Sequence, residues 1–99
     1  MRQAYVISYD IADPKRWRKV YRMMLGVGEA IQYSVFRCDL SGSEKILLLE
    51  KLFAAIHQGE DRVMLIDLGP AEGDQSGNGR IQTFGRSLND LPERGAVIL

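Results

Sequence analysis

The chain has 99 residues, of which 45% are hydrophobic and 26% charged, a composition typical of one soluble globular domain and too short for a second core. Thirteen basic and thirteen acidic residues cancel, so net charge alone does not predict nucleic-acid binding. Among residues 1–22, however, six residues are basic and only two acidic, which predicts one positive face on a neutral protein.

The sequence indicates a reducing compartment. Cys38 is the only cysteine, so an internal disulfide is excluded. The first apolar stretch is short and is interrupted by Ser8 and Asp10, unlike a signal peptide. No run approaches the roughly 18 apolar residues that a membrane-spanning helix needs. We therefore expect a cytoplasmic protein.

The first predicted elements are a strand and a helix. Residues 4–9 are mostly β-branched or aromatic and predict the strand. Asp13 and Pro14 then predict a helix start, with Asp13 capping free N–H groups and Pro14 at the first helical position. Gly26 and Gly28 predict its end. The residues at helical spacing that should face the core are Trp17, Val20, Tyr21, Met24 and Leu25.

Residues 30–40 are extended in composition and form either one bent strand or two short ones. Ser41 and Glu44 have the spacing of a capping box, which predicts the start of a second helix, and Gly59 predicts its end. The predicted core stripe of this helix is Ile46, Leu49, Leu52, Phe53 and Ile56.

The remaining chain predicts a strand at 62–68, a flexible loop at 69–79 and short strands at 80–85 and 96–99. This order favours one α+β domain spanning residues 1–99, with a core at about 1–68 and two helices on one face of an antiparallel sheet. If residues 30–40 form two strands, the fold is a ferredoxin-like βαββαβ sandwich. The tail at 80–99 would add a strand, which could pair with the sheet edge of a second subunit.

Asp10 lies where the first strand ends, just before a helix start. Spacing alone favours a solvated loop acid, whereas the functional alternative is a ligand of a hard cation such as Mg²⁺. One carboxylate is a poor site, and Asp13 is the predicted cap. A symmetric dimer would bring two copies of Asp10 together across its axis.

Four cations, Lys15, Arg16, Arg18 and Lys19, follow this acid. They form either a solvated helix face or a phosphate-binding surface, whose contacts would be independent of base sequence and sensitive to salt. Cys38 and His57 do not form a convincing nucleophile pair, since a cysteine in a strand is usually inert packing.

The stretches YVISYDIADPKRWRKV and IQYSVFRCDLS resemble the small CRISPR-associated Cas2 family. Its members share an apolar strand ending in Tyr-Asp-Ile, a basic first helix and a Gln-x-Ser-Val-Phe motif, which is represented here by Gln32, Ser34, Val35 and Phe36. The order and spacing of these motifs match over nearly the whole chain.

The resemblance implies a ferredoxin-like homodimer whose tail strand pairs with the partner's sheet. It also implies a Mg²⁺-dependent endonuclease for single-stranded RNA or double-stranded DNA, in which Mn²⁺ can substitute, and Asp10 of both chains holds the metal. Tyr9 would orient the aspartate or a water, Phe36 is either a site aromatic or a core residue, and the basic helix would bind nucleic acid. A further implied partner is the Cas1 integrase, which inserts spacers during antiviral defence.

The sequence departs from the family pattern at two positions, and other functions are also considered. Ala30 and Trp17 stand where the family often has basic residues, so phosphate contacts should be redistributed. Besides a nuclease, the chain could be a noncatalytic DNA-binding scaffold for the integrase, or a small-molecule regulatory module on the same fold. An RNA-recognition motif is disfavoured, because no strand carries its Arg/Lys-Gly-aromatic run.

Overall fold

The computed structural model describes residues 2–71 and 81–86. In chain order these ranges contain β1 (Gln3–Asp10), α1 (Pro14–Leu25), β2 (Glu29–Gln32), β3 (Val35–Leu40), α2 (Gly42–Ala55) and β4 (Arg62–Pro70). Neither helix in these ranges is long and apolar enough to cross a membrane.

The four strands form one sheet in the order β2-β3-β1-β4, and every neighbouring pair is antiparallel. β1 lies in the middle and pairs with both β3 and β4, while the stretch 30–40 is divided by a turn at residues 33 and 34. This topology is the βαββαβ pattern of ferredoxin-like sandwiches, so the predicted fold class is confirmed.

Helix α1 begins as predicted. The Asp13 carboxylate accepts a hydrogen bond of 3.0 Å from the Arg16 N–H, and Pro14 occupies the first turn. Val20, Tyr21 and Met24 are buried against the sheet, but Leu25, at 42% exposure, does not join the predicted stripe. The helix ends at this residue, where the chain turns away toward β2.

Helix α2 has the predicted capping box and part of the predicted core stripe. The Ser41 hydroxyl accepts from the Glu44 N–H at 3.2 Å, and the Glu44 carboxylate accepts from the Ser41 N–H at 2.8 Å. Ile46 and Phe53 are 62% and 66% exposed. Leu52 is buried as predicted and Leu49 and Ile56 are partly buried against the core. Leu48 and Ala55 are buried although they were not predicted. Apolar residues surround much of this helix, so two stripes fit the helical period and packing selects one.

β4 is longer than predicted and the tail differs from its prediction. β4 runs through Gly69 and Pro70, so the predicted loop starts later than residue 69. Gly69 has φ of 95° and lies at a β-bulge opposite Ala4, a conformation that glycine adopts without strain. Residues 81–86 form no strand within this chain, and 72–80 and 87–99 lie outside the described residues. The tail strand and its pairing with a second subunit stay predictions.

The two faces of the sheet differ. Tyr5, Ile7 and Tyr9 of β1 point toward the helices and join the main core. The alternate residues point to the opposite face, which we call the open face, since strand side chains alternate between faces. The register places Met64 and Ile66 of β4 on this same face, at 50% and 42% exposure.

Candidate active site at the end of β1

Asp10 is the last residue of β1 and its side chain is exposed on the open face. In the β1–β4 register it lies opposite Arg62, two pairs beyond Ser8 and Met64 and therefore on the same face. Among the described residues, no hydrogen bond or ion pair engages the Asp10 carboxylate. Both of its oxygens are therefore available to an external ligand.

The described part of the chain shows no cluster of metal-ligating side chains. No group of three or more His, Cys, Asp or Glu side chains within residues 2–71 and 81–86 could hold a metal ion. Mg²⁺ is satisfied by one or two carboxylates when waters and substrate phosphate oxygens complete its octahedral shell. The unpartnered Asp10 carboxylate can supply one of these ligands.

The Tyr9 side chain points to the opposite face of the sheet from the Asp10 side chain. Its side chain is 4% exposed and lies on the helix face of the sheet. Its hydroxyl donates to the Tyr33 carbonyl at 2.9 Å, and its ring stacks on Phe36 with centroids 6.3 Å apart. Burial raises the pKa of Tyr9 well above its ordinary value. In this chain the hydroxyl therefore anchors the β2–β3 turn, on the face opposite the Asp10 carboxylate.

The Gln-x-Ser-Val-Phe motif forms the turn that Tyr9 anchors. The Ser34 carbonyl accepts from the Tyr9 N–H at 3.0 Å, and the Ser34 hydroxyl accepts from the Trp17 indole at 2.8 Å. Phe36 is fully buried and also contacts the Tyr21 ring. Of the two alternatives for Phe36, its geometry in this chain is that of a core residue. The motif ties β1, α1 and β3 together beneath the site.

Arg16 is engaged within the chain. Its Nε donates to Asp61 Oδ2 at 2.8 Å and its Nη2 to Glu60 Oε1 at 3.0 Å. The Asp61 carboxylate also accepts from the N–H groups of Ala12 at 2.9 Å and His57 at 2.7 Å. With two bonds from Arg16, Asp61 thus accepts four hydrogen bonds, and we call this arrangement the Asp61 hub. The Arg16 guanidinium holds the pKa of Asp61 well below its usual range.

The hub changes the assignment of the predicted phosphate-binding cations. Arg16 is already paired with carboxylates, whereas Lys15 and Lys19 are exposed and Arg18 is half-buried. Within the part of the chain that the structure describes, these last three form no ion pair. Three of the four predicted cations thus remain free for an anion, and α1 starts four residues after Asp10.

The structure adds Arg62 to the site, a residue that the sequence did not single out. Arg62 is exposed and lies directly opposite Asp10 in the register. Side chains at such positions have Cβ atoms about 4.5–5.5 Å apart. Because 52 positions separate the two residues in sequence, only the strand pairing shows that a cation stands beside the carboxylate.

Cys38 and His57 do not form a nucleophile pair. Cys38 is 1% exposed, and burial raises the pKa of its thiol to about 11, which keeps it protonated. His57 Nδ1 accepts a hydrogen bond from the Gly59 N–H at 3.1 Å. The prediction that both residues are structural agrees with these contacts.

Comparison with known proteins identifies the family. The model of the family described as "CRISPR associated protein Cas2" matches residues 3–75. The CRISPR-associated endoribonuclease Cas2 1 of Rhodospirillum rubrum is 43% identical over 96 residues, covering 97% of this chain and 90% of that protein. The CRISPR-associated endoribonuclease Cas2 of Geobacter sulfurreducens is 30% identical over 98 residues, covering 99% of this chain and all of that protein.

A solved structure shows the same fold. The crystal structure of Streptococcus pyogenes Cas2 at pH 6.5 superposes with a TM-score of 0.72 at 25% identity, covering 83% of this chain and 99% of that one. Sequence motifs, strand order and relatives agree over most of the chain. This protein belongs to the CRISPR-associated Cas2 family.

Proposed function

We propose that this protein is a metal-dependent endonuclease of CRISPR defence, which hydrolyses phosphodiester bonds in single-stranded RNA, double-stranded DNA or both. Relatives that span the full chain are named endoribonucleases. The observation that carries the proposal is the exposed Asp10 carboxylate, which has no polar partner among the described residues. An unpaired carboxylate at a strand end beside free cations suits phosphate chemistry.

The second half of the site would come from a second copy of the chain. The open face presents Met64 and Ile66, and their β1 neighbours are Ser8 and Val6. Exposed apolar side chains grouped on one sheet face are typical of an association surface. Packing two open faces about a two-fold axis would bury these residues and bring the two Asp10 carboxylates toward each other, because both lie on that face.

In this dimer the acidic and the basic residues have different roles. The two Asp10 carboxylates hold Mg²⁺, for which Mn²⁺ can substitute, and Lys15, Arg18 and Lys19 hold the nucleic-acid backbone. When bound, the ion polarises the phosphate and activates a water. Among the described residues no side chain is placed as a general base near Asp10, since the Tyr9 hydroxyl is buried and hydrogen-bonded on the other face.

Asp10→Asn tests this function. The change preserves side-chain size but removes the charge that holds the cation, so we expect Mg²⁺-dependent cleavage of RNA or duplex DNA to fall about 100-fold or more. Asp39→Asn is the matched control, because the register places Asp39 on the same face at the far end of β1. Cleavage by Asp10→Asn at the wild-type rate, or cleavage that resists EDTA, would contradict the proposal.

The second function is a noncatalytic scaffold that clamps duplex DNA for the Cas1 integrase. The observation that favours it is the set of free α1 cations, which bind a backbone whether or not it is cut. The same variant separates the two functions. Under the scaffold function, Asp10→Asn binds duplex DNA and supports spacer integration as the wild type does. Loss of integration in this variant would remove the scaffold function in its noncatalytic form.

A further inference from the structure

We propose that Asp61 is a positioning residue, which holds the β1–α1 turn and thereby sets the place of the Asp10 carboxylate. The inference rests on the proposed function, because it assigns to Asp61 a role in the metal site. Asp61 lies 51 positions from Asp10 and would not contact the metal or the substrate.

The geometry of Asp61 is that of a structural hub. Its side chain has no exposed surface, although it carries a charge. Such a buried carboxylate is tolerated only when its oxygens are satisfied, and here each oxygen accepts at least two hydrogen bonds. Oδ1 accepts from Ala12 N and Arg16 Nη2, and Oδ2 accepts from His57 N and Arg16 Nε.

These bonds join two turns that are distant in sequence. Ala12 lies in the β1–α1 connection and Arg16 in the first turn of α1, whereas His57 and Asp61 belong to the α2–β4 connection. The backbone N–H of Arg16 also donates a hydrogen bond to the Asp13 carboxylate, which is the N-cap of α1. A single buried charge therefore locks the backbone on both sides of the connection.

Asp10 depends on that backbone for its position. Its carboxylate has no polar contact of its own among the described residues. The last pair of the β1–β4 ladder is Asp10 with Arg62, and Arg62 directly follows Asp61. Two residues beyond Asp10, Ala12 is bonded to Asp61. The hub thus constrains Asp10 through β1, by way of Ala12, and through β4, by way of Arg62. Replacing residues that orient metal ligands typically changes metal affinity about 10–100-fold.

The test uses Asp61→Asn in the full chain, with Mn²⁺ as the probe. The amide oxygen can still accept one N–H, but the charge opposite Arg16 is lost. We expect Mn²⁺ affinity, measured by titration calorimetry, to fall at least about tenfold. Hydrogen exchange of the Ala12 amide should accelerate, kcat should fall, and KM for nucleic acid should stay within about twofold, since the free cations on α1 are untouched.

Asp67→Asn is the matched control. Asp67 also accepts a backbone N–H, that of Gly69 at 2.7 Å, but at the other end of β4. It should leave Mn²⁺ affinity and Ala12 exchange unchanged. If Asp61→Asn fails to fold, Arg16→Gln replaces it, because it removes both hydrogen bonds from Arg16 to Asp61 and leaves Asp61 able to accept from the N–H groups of Ala12 and His57.

The outcomes separate this inference from the proposed function. Wild-type protein that neither binds Mn²⁺ nor cleaves would contradict the proposed function, and the Ala12 exchange rate would then still decide whether Asp61 holds the turn. Unchanged Ala12 exchange in Asp61→Asn would overturn the inference. Unchanged Mn²⁺ affinity in a folded Asp61→Asn, with binding in the wild type, would overturn it as well.

Discussion

Tyr9 and Asp10 are neighbours in sequence with opposite environments. Strand geometry turns consecutive side chains to opposite faces, so Tyr9 enters the core and Asp10 reaches the open face. The Tyr-Asp motif therefore combines a buried anchor with an exposed carboxylate, which is the proposed metal ligand. Tyr9 fixes the strand end by its bond to the Tyr33 carbonyl, and Asp10 is left free to bind.

Gly28 is a residue that packing requires to be glycine. A Cβ built there would lie 2.6 Å from the Arg37 carbonyl oxygen and 2.6 Å from Cys38 Sγ, both far inside normal contact. The chain leaving α1 crosses the backbone of β3 at this point, so neither neighbour can retreat freely. Lack of room for a Cβ atom, rather than an unusual φ, requires glycine at this position.

Gly28→Ala should accordingly destabilise the fold by about 1–3 kcal/mol, the usual cost of overpacking. Gly42→Ala is the control, since a Cβ at Gly42 in α2 meets nothing within 4 Å and alanine favours helix. Urea unfolding of both variants measures the difference. Equal midpoints for Gly28→Ala and the wild type would show that the β3 contact relaxes at no cost.

Helix α1 presents different chemistry on its different sides. One side of the helix is buried through Val20, Tyr21 and Met24. Arg16 is paired with Asp61. Lys15, Arg18 and Lys19 remain without ion pairs within the described part of the chain. The helix is thus fastened at its N-terminal end and still carries cations that a phosphate backbone can use.

Lys19→Glu should weaken binding to duplex DNA and to single-stranded RNA regardless of sequence. Each lost phosphate contact also lowers the slope of log affinity against log salt by about 1. Lys51→Glu, an equal charge change on exposed α2, is the control. Fluorescence anisotropy between 50 and 200 mM salt, about the range over which such contacts are resolved, measures both. Equal slopes of log affinity against log salt for the two variants would show that the nucleic acid does not contact Lys19.

At the scale of the whole molecule, the two faces of the sheet have different degrees of cover. Both helices pack on one face, while Met64 and Ile66 remain exposed on the other. A domain of this size buries a limited fraction of its surface and gains stability from a partner. An open-face dimer would supply that cover and complete the carboxylate pair in one step.

Met64→Asp should convert such a dimer to monomers, because burying an unpaired carboxylate costs several kcal/mol. Loss of Mn²⁺ binding should accompany dissociation. Phe53→Asp is the control, since Phe53 is 66% exposed on α2, on the opposite side of the sheet. Sedimentation velocity measures the mass of each variant. A Met64→Asp dimer with wild-type stability would exclude the open face as the interface.

The sequence by itself determined what depends on neighbours along the chain. Asp13 with Pro14, and Ser41 with Glu44, place both helix starts correctly, since capping involves residues two or three positions apart. The β-branched and aromatic content of residues 4–9 predicted β1 to within one residue at either end. Together with the order of elements, these local signals predicted an α+β sandwich. The ferredoxin-like pattern depended on whether residues 30–40 form one strand or two, which the local signals left open.

Only the tertiary structure decided what depends on distant partners. Ile46 and Phe53 fit the helical period as well as Leu48 and Ala55 do, and packing against the sheet buries the latter two. Arg16 resembled the other α1 cations until the fold brought it to Asp61, 45 positions away. Ion pairs and packing act across space, so local patterns do not contain them. For the same physical reason, a site shared by two chains requires an assembly to be seen.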